Sequence, residues 1–305
     1  MPMRNLPPKL KSGDKIAIAA SARKITLDEL KPAIAIFESW GLEVVLHPEL
    51  FAEQNQFAGS DEIRAKVLNS YLQNPSIKAV IFARGGYGTV RIIDQIDFSF
   101  LDKFPKWLIG YSDITVLHNH VHANTNWCTL HATMPINMQN HNINTQSVAA
   151  LKSMLMDDTQ IHYPILHHPL NRNGNASAQL VGGNLSVLYS LLGSASDMDT
   201  NNKILFLEDL DEYLYHIDRM MQALKRAGKL DHLAGLIIGG MSDMKDNAVP
   251  FGLTAEEIIA DTVKDFNYPI LFNFPVGHQD LNLPIILGGA ISLKVDNDFC
   301  QLVYS

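Results

Sequence analysis

The chain has 305 residues, 47% hydrophobic and 18% charged, an ordinary globular composition and a length that favours two hydrophobic cores over one. A net charge of −8 argues against a surface built to hold nucleic acid or anionic membrane. No run is long and apolar enough to span a bilayer and no early stretch reads as a cleaved leader. The two cysteines, Cys128 and Cys300, are too few for a disulfide framework or a thiolate zinc site, so a cytoplasmic protein is expected.

Lys15–Ala20 is a short apolar run after a Gly-Asp turn and reads as a buried parallel strand. The following helix should end near Trp40-Gly41, with Pro32 in its first turn, because proline deeper inside costs about 3 kcal/mol. Leu42–Leu46 is the second strand, and Ser60 reads as the N-cap of a helix extending to Leu72. Ala79–Ala83 and Trp107–Gly110 are the third and fourth strands, and this alternation predicts a parallel sheet with helices on both faces. Residues 161–177, rich in proline, histidine and asparagine, break the rhythm. They are expected to link an N-terminal α/β domain (1–160) to a smaller C-terminal α/β domain (178–305). The second half restarts at Gln179–Val181, and Gly182-Gly183-Asn184 opens a helix through Leu192. A strand at Lys203–Leu207, a helix near Tyr213–Ala227 and a strand at Leu233–Ile238 follow. Thr254 starts another helix, with Glu257 completing a capping box, and Ile291–Val295 with Phe299–Tyr304 reads as a hairpin.

Sites in open parallel sheets gather at the carboxyl ends of strands. Four polar features fall there: Ser112 after Trp107–Gly110, Arg84-Gly85-Gly86-Tyr87-Gly88 after the third strand, Glu208 after Ile204–Leu207, and His278 after Pro269–Asn273. Each also has a plain structural role. A serine opening a helix more often caps it than attacks a substrate. The glycines suit either a tight turn or an anion site built from backbone N–H groups. A carboxylate at a strand end needs a partner, for which a cation on the next helix would serve, and a lone histidine in a loop is more often structural. Together they make a nucleophile, a base and a carboxylate at three strand ends with a glycine turn at a fourth. The glycines do not fit the Gly-x-Gly-x-x-Gly dinucleotide pattern, and no phosphate loop is present. His118, His120 and His122 fall on one helix, His118 and His122 a turn apart, but no His-Glu-x-x-His accompanies them, so no metal is expected.

In chain order, Arg84-Gly85-Gly86-Tyr87-Gly88, Gly110-Tyr111-Ser112-Asp113-Ile114-Thr115, Gly182-Gly183-Asn184-Leu185, Leu205-Phe206-Leu207-Glu208-Asp209 and Gly277-His278 resemble the LD-carboxypeptidases of murein recycling. That serine peptidase family also contains the microcin-immunity peptidases, and the likeness runs from Gly13 to about Gly289. The resemblance implies a flavodoxin-like or amidotransferase-like N-terminal domain, a smaller C-terminal α/β domain, a site between them and a homodimer. It assigns Ser112 as nucleophile, His278 as general base, Glu208 as the group orienting the base, and the Gly86 and Asp113 N–H groups as the oxyanion hole. Asp209, Asp211 and Glu212 crowd Glu208, so that choice rests on the motif, with Glu212 next in line. Arg84, beside the glycine turn, suits either the carboxylate of a terminal D-amino acid or a structural ion pair. The reaction implied is release of D-alanine from a murein tetrapeptide without metal or organic cofactor. The alternatives are a microcin-immunity peptidase acting on a nucleotide-peptide conjugate, an ordinary α/β-hydrolase, which the absent Gly-x-Ser-x-Gly disfavours, and a binding protein without catalysis. The short stretch between Gly193 and Lys203 leaves little room for a nucleotide-gripping loop and favours the carboxypeptidase.

Overall fold

The computed structural model describes residues 4–139, 143–157, 163–297 and 299–304. Two six-stranded sheets organise it. The first is built from β1 (Lys15–Ala19), β2 (Glu43–Leu46), β3 (Ile77–Phe82), β4 (Trp107–Gly110), β5 (Thr129–His131) and β10 (Ile285–Leu287), in the order β10-β5-β4-β3-β1-β2. The second holds β6 (Gly174–Asn184), β7 (Ile204–Leu210), β8 (Gly235–Ser242), β9 (Ile270–Leu271), β11 (Ala290–Val295) and β12 (Cys300–Tyr304), in the order β12-β11-β6-β7-β8-β9. This is the expected pair of α/β sheets. Neither is wholly parallel: β10 runs antiparallel to β5, and β11 runs antiparallel to both β6 and β12.

The apolar runs are continuous because both faces of each sheet are covered. In the first sheet Ile16, Ile18, Ile81 and Ile109 enter one core, while Ala17, Val80, Phe82 and Leu108 enter the other. This is the period-two split of a parallel sheet buried on both sides. In the second sheet Leu205 and Leu207 face one way and Ile204 and Phe206 the other. Among the described residues no helix is long and apolar enough to cross a membrane.

Several boundaries differ from expectation for identifiable reasons. The first helix spans Leu27–Ser39, so Pro32 is its sixth residue and lies beyond the first turn. The Thr26–Glu29 capping box starts the helix a turn earlier than the proline suggests, and exposed Asp28, whose carbonyl loses its partner, can turn to water. β6 begins at Gly174, inside the expected linker, because residues 174–179 pair with β11; residues 161 and 162 lie outside the described residues. β7 runs to Leu210, carrying Glu208 within the strand at a register shift between Leu207 and Asp209. β10, within the span expected for the C-terminal domain, hydrogen-bonds into the first sheet. Its side chains serve both sheets, Ile286 in a core of the first and Ile285 and Leu287 in a core of the second.

Candidate active site

The chain leaves β4 at Gly110 and makes a single 3-10 turn, Ser112–Ile114, before the helix Thr115–Asn124. Ser112 has φ of 64°, a left-handed conformation unusual for a residue with a Cβ. Its hydroxyl caps nothing: no side-chain cap bond is made at the turn or at the helix, and Ser112 Oγ has no hydrogen-bond partner among the described residues. The capping role is therefore absent. What is left is a hydroxyl held on a strained corner at a strand end, the setting of an exposed nucleophile.

The glycine turn lies directly against it. A Cβ on Gly85 would come within 2.9 Å of Ser112 Cβ and 3.0 Å of its Oγ, so only glycine allows this approach. Gly86 follows at φ of 114°, and its N–H donates to no group among the described residues. The turn is pinned from behind. Buried Asp113 accepts from the Thr89 N–H at 2.9 Å, and buried Arg64 donates to the Gly88 carbonyl at 2.9 Å and to that of Ser21. The side chain after Ser112 thus holds the far end of the turn facing Ser112.

Glu208 and His278 come from the second sheet. Glu208 is fully buried, and its Oε2 accepts from His278 Nδ1 at 2.6 Å and from the His278 N–H at 3.1 Å. Gly277 permits this: at φ of 107°, a Cβ there would sit 2.7 Å from Glu208 Cβ and 2.8 Å from its Oε2. With Nδ1 occupied, Nε2 is the ring atom available to the cavity. Burial pushes the Glu208 carboxyl up, but the charge of His278 and its hydrogen bonds outweigh this and hold it below the usual range. Burial likewise depresses His278, and the charge and hydrogen bond of Glu208, joined by the charge of Asp209, raise it above the ordinary histidine value.

The neighbouring carboxylates are engaged elsewhere. Glu212 meets His216 at 2.6 Å and Asp211 meets Lys245 at 2.6 Å. Asp209 accepts from Asn184 Nδ2 and from the Ser186 and Leu210 N–H groups, each at 2.9 Å. Burial and the charge of Glu208 push Asp209 up to about 7. Geometry therefore separates Glu208 from the acids that the sequence leaves beside it.

Ser112, Asp113, Gly85, Gly86, Arg84 and His278 line one cavity of about 520 Å³. Ser112 and His278 share it without a hydrogen bond between them; such contacts are often long without substrate and tighten when it binds. The two sheets meet behind the serine. Thr115 Oγ1 accepts from the Asn184 N–H at 3.0 Å, and Asn119 Nδ2 donates to the Gly182 carbonyl at 3.3 Å. Arg84 forms an ion pair with Glu29 at 3.6 Å, supplying the structural role weighed for it.

The three helix histidines diverge. His118 Nε2 meets the Gly110 carbonyl at 2.8 Å, His120 Nδ1 meets Ser196 Oγ at 2.9 Å, and His122 Nε2 meets Thr129 Oγ1 at 3.1 Å. No group of three metal-ligating side chains is found among the described residues. Two site residues escaped sequence reasoning. Tyr111 places its ring centroid 4.7 Å from that of His278 with the planes tilted by 52°, and Arg23 lines the cavity beyond the end of β1. The same strand-end rule, applied to β1, reaches Arg23, and Tyr111 stands within the Gly110–Thr115 motif without a role assigned to it.

Residues 16–132 match the LD-carboxypeptidase N-terminal domain and residues 177–293 the LD-carboxypeptidase C-terminal domain. The chain is 35% identical over 295 residues to the probable murein peptide carboxypeptidase of Bacillus subtilis (strain 168), covering 94% of this chain and 91% of that protein. The crystal structure of muramoyltetrapeptide carboxypeptidase from Oxalobacter formigenes is similar with a TM-score of 0.86 at 25% identity, over 95% of this chain and 98% of that one. The wild-type apo structure of the microcin C7 self immunity protein MccF shares the fold, with a TM-score of 0.86 at 20% identity over 100% of this chain and 98% of that one. By both of its matched domains, the chain belongs to the LD-carboxypeptidase family.

Proposed function

We propose that this protein is a serine carboxypeptidase that hydrolyses the L,D-amide bond releasing the terminal D-alanine from murein tetrapeptides in cell-wall recycling. The observation that carries the reading is the buried Glu208–His278 pair at 2.6 Å, in the cavity that also holds strained Ser112 against its glycine turn. His278 Nε2 takes the Ser112 hydroxyl proton as Oγ attacks the carbonyl carbon, while Glu208 fixes the Nδ1–H tautomer and stabilises the imidazolium. The Gly86 and Asp113 N–H groups bind the resulting oxyanion, each donor contributing about 3 kcal/mol to the transition state. The imidazolium then gives its proton to the D-alanine nitrogen as the C–N bond breaks, leaving an acyl-serine. Water, deprotonated by His278, attacks that ester, and Ser112 Oγ leaves with the proton.

The probable murein peptide carboxypeptidase of Bacillus subtilis and the muramoyltetrapeptide carboxypeptidase of Oxalobacter formigenes support this substrate class. The test is release of D-alanine from a murein tetrapeptide by the purified protein and by Ser112→Ala, with an aminoacyl-adenylate analogue as a second substrate. Turnover of the tetrapeptide that is lost in Ser112→Ala is expected; turnover of the adenylate alone assigns the microcin-immunity activity instead. A cytoplasmic location and a homodimer go with this reading, and size-exclusion chromatography measures the latter.

A further inference from the structure

Two arginines border the cavity, and they differ in what they meet. Arg84 is held by Glu29 at 3.6 Å and donates to the Lys24 carbonyl at 3.4 Å, so its charge is answered within the protein. Arg23 makes no hydrogen bond or ion pair with its side chain among the described residues. Its stem nevertheless lies against the glycine turn, where a Cβ on Gly86 would run into Arg23 Cγ and Cδ. The aliphatic stem therefore crosses the face of the residue that supplies an oxyanion donor, and glycine at 86 is what lets it lie there.

The cavity is also polarised. Of its acidic residues, Asp209, Asp211 and Glu212 come from β7 and the turn after it, whereas Asp113, on the side of the arginines, turns its carboxylate onto the Thr89 N–H; both arginines come from loops of the first sheet. A carboxylate entering the cavity is drawn to the arginine wall, and most to the guanidinium that no carboxylate of the protein answers. In a C-terminal residue the carboxylate follows the scissile carbonyl by about one peptide unit, ~3.8 Å. Its receiver must therefore border the oxyanion site, as Arg23 does through Gly86. A guanidinium can take both carboxylate oxygens at once, and one without an internal partner gives up no ion pair to do so.

We infer that Arg23, and not Arg84, is the specificity-determining residue that receives the terminal carboxylate of the D-residue to be released. This rests on the carboxypeptidase reading and adds to it the reason the protein removes a terminal residue without cutting internal bonds. An internal peptide offers a neutral amide where Arg23 requires an anion.

The test measures binding of a murein tetrapeptide ending in D-alanine, and of the same peptide with a C-terminal amide, to Ser112→Ala by calorimetry. The pair is then repeated with Arg23→Gln, Arg23→Lys or Arg84→Gln added. Ser112→Ala should prefer the acid by about tenfold or more, the scale of one charge-assisted contact. Arg23→Gln should bring the ratio toward unity by weakening the acid alone. Arg23→Lys should keep part of the preference, and Arg84→Gln should keep all of it. A ratio unchanged by Arg23→Gln, a ratio abolished by Arg84→Gln, or no preference in Ser112→Ala overturns the assignment. Release of D-alanine by the unmodified protein is scored separately, so its absence refutes the proposed reaction while the binding ratios still judge Arg23.

Discussion

Replacing Glu208 with glutamine keeps the shape of the site and removes one charge from it. Oε2 accepts two bonds from His278, at 2.6 Å from Nδ1 and 3.1 Å from the N–H, while Oε1 is buried without a partner. A glutamine that puts its carbonyl oxygen where Oε2 lies retains both bonds, and so retains the tautomer that leaves Nε2 free. What it loses is the negative charge facing the imidazolium that forms, in the proposed reaction, when His278 takes the serine proton. With charge centres about 4 Å apart and an effective dielectric of about 20, that attraction is worth about 4 kcal/mol, or roughly a thousandfold in kcat. KM should change little, because neutral His278 in the ground state gains little from the charge.

The same substitution has a pH signature with a definite sign. Glu208 raises His278 above its ordinary value of 6.5, against the lowering effect of burial. His278 must be neutral to accept a proton, so kcat/KM of the parent should fall through an acidic limb centred above 6.5. Without the carboxylate, burial dominates and the limb moves to lower pH. The assay is D-alanine release across pH 5–9 (about the range in which histidine titrates). A kcat within about tenfold of the parent, with the limb unmoved, refutes the role given to Glu208.

Ser112→Gly should be inactive yet more stable than the parent by about 1 kcal/mol, because glycine adopts the left-handed corner without the Cβ penalty; a lower thermal midpoint contradicts the strain argument. Gly183→Ala places a Cβ 2.6 Å from Thr115 Oγ1 at φ of 141°, pushing the helix behind the serine away from β6. It should lower kcat more than it lowers the midpoint, and unchanged kinetics would show that the contact between the sheets does not set the serine.

The Ser112 corner was legible because its signals are local: an apolar strand, a glycine, then a serine where a helix starts. The choice of Glu208 among four nearby acids had only the family motif behind it, since its physical basis is which carboxylate the register shift in β7 turns toward His278 and which acids find Asn184, His216 and Lys245. β5 and β10 have three residues each, and β10 exists through pairing with β5 across more than half the chain, which no local pattern encodes. The sequence set the helix histidines aside as metal ligands but did not reveal what they meet instead, the Gly110 carbonyl, Ser196 and Thr129.

The return of β10 to the first sheet has a consequence for how the protein is made. The edge of β5 is covered only after Ile285–Leu287 has been synthesised, although Ser112 and its glycine turn precede it by well over a hundred residues. A chain still on the ribosome holds its serine beside an open strand edge, without Glu208's histidine and without the last strand of that sheet. Such an intermediate is prone to edge-to-edge association and lacks the histidine that the proposed reaction uses as base. Under the proposed reaction, hydrolytic competence arrives only with the last tenth of the polypeptide, and a product truncated before His278 is expected to be inert.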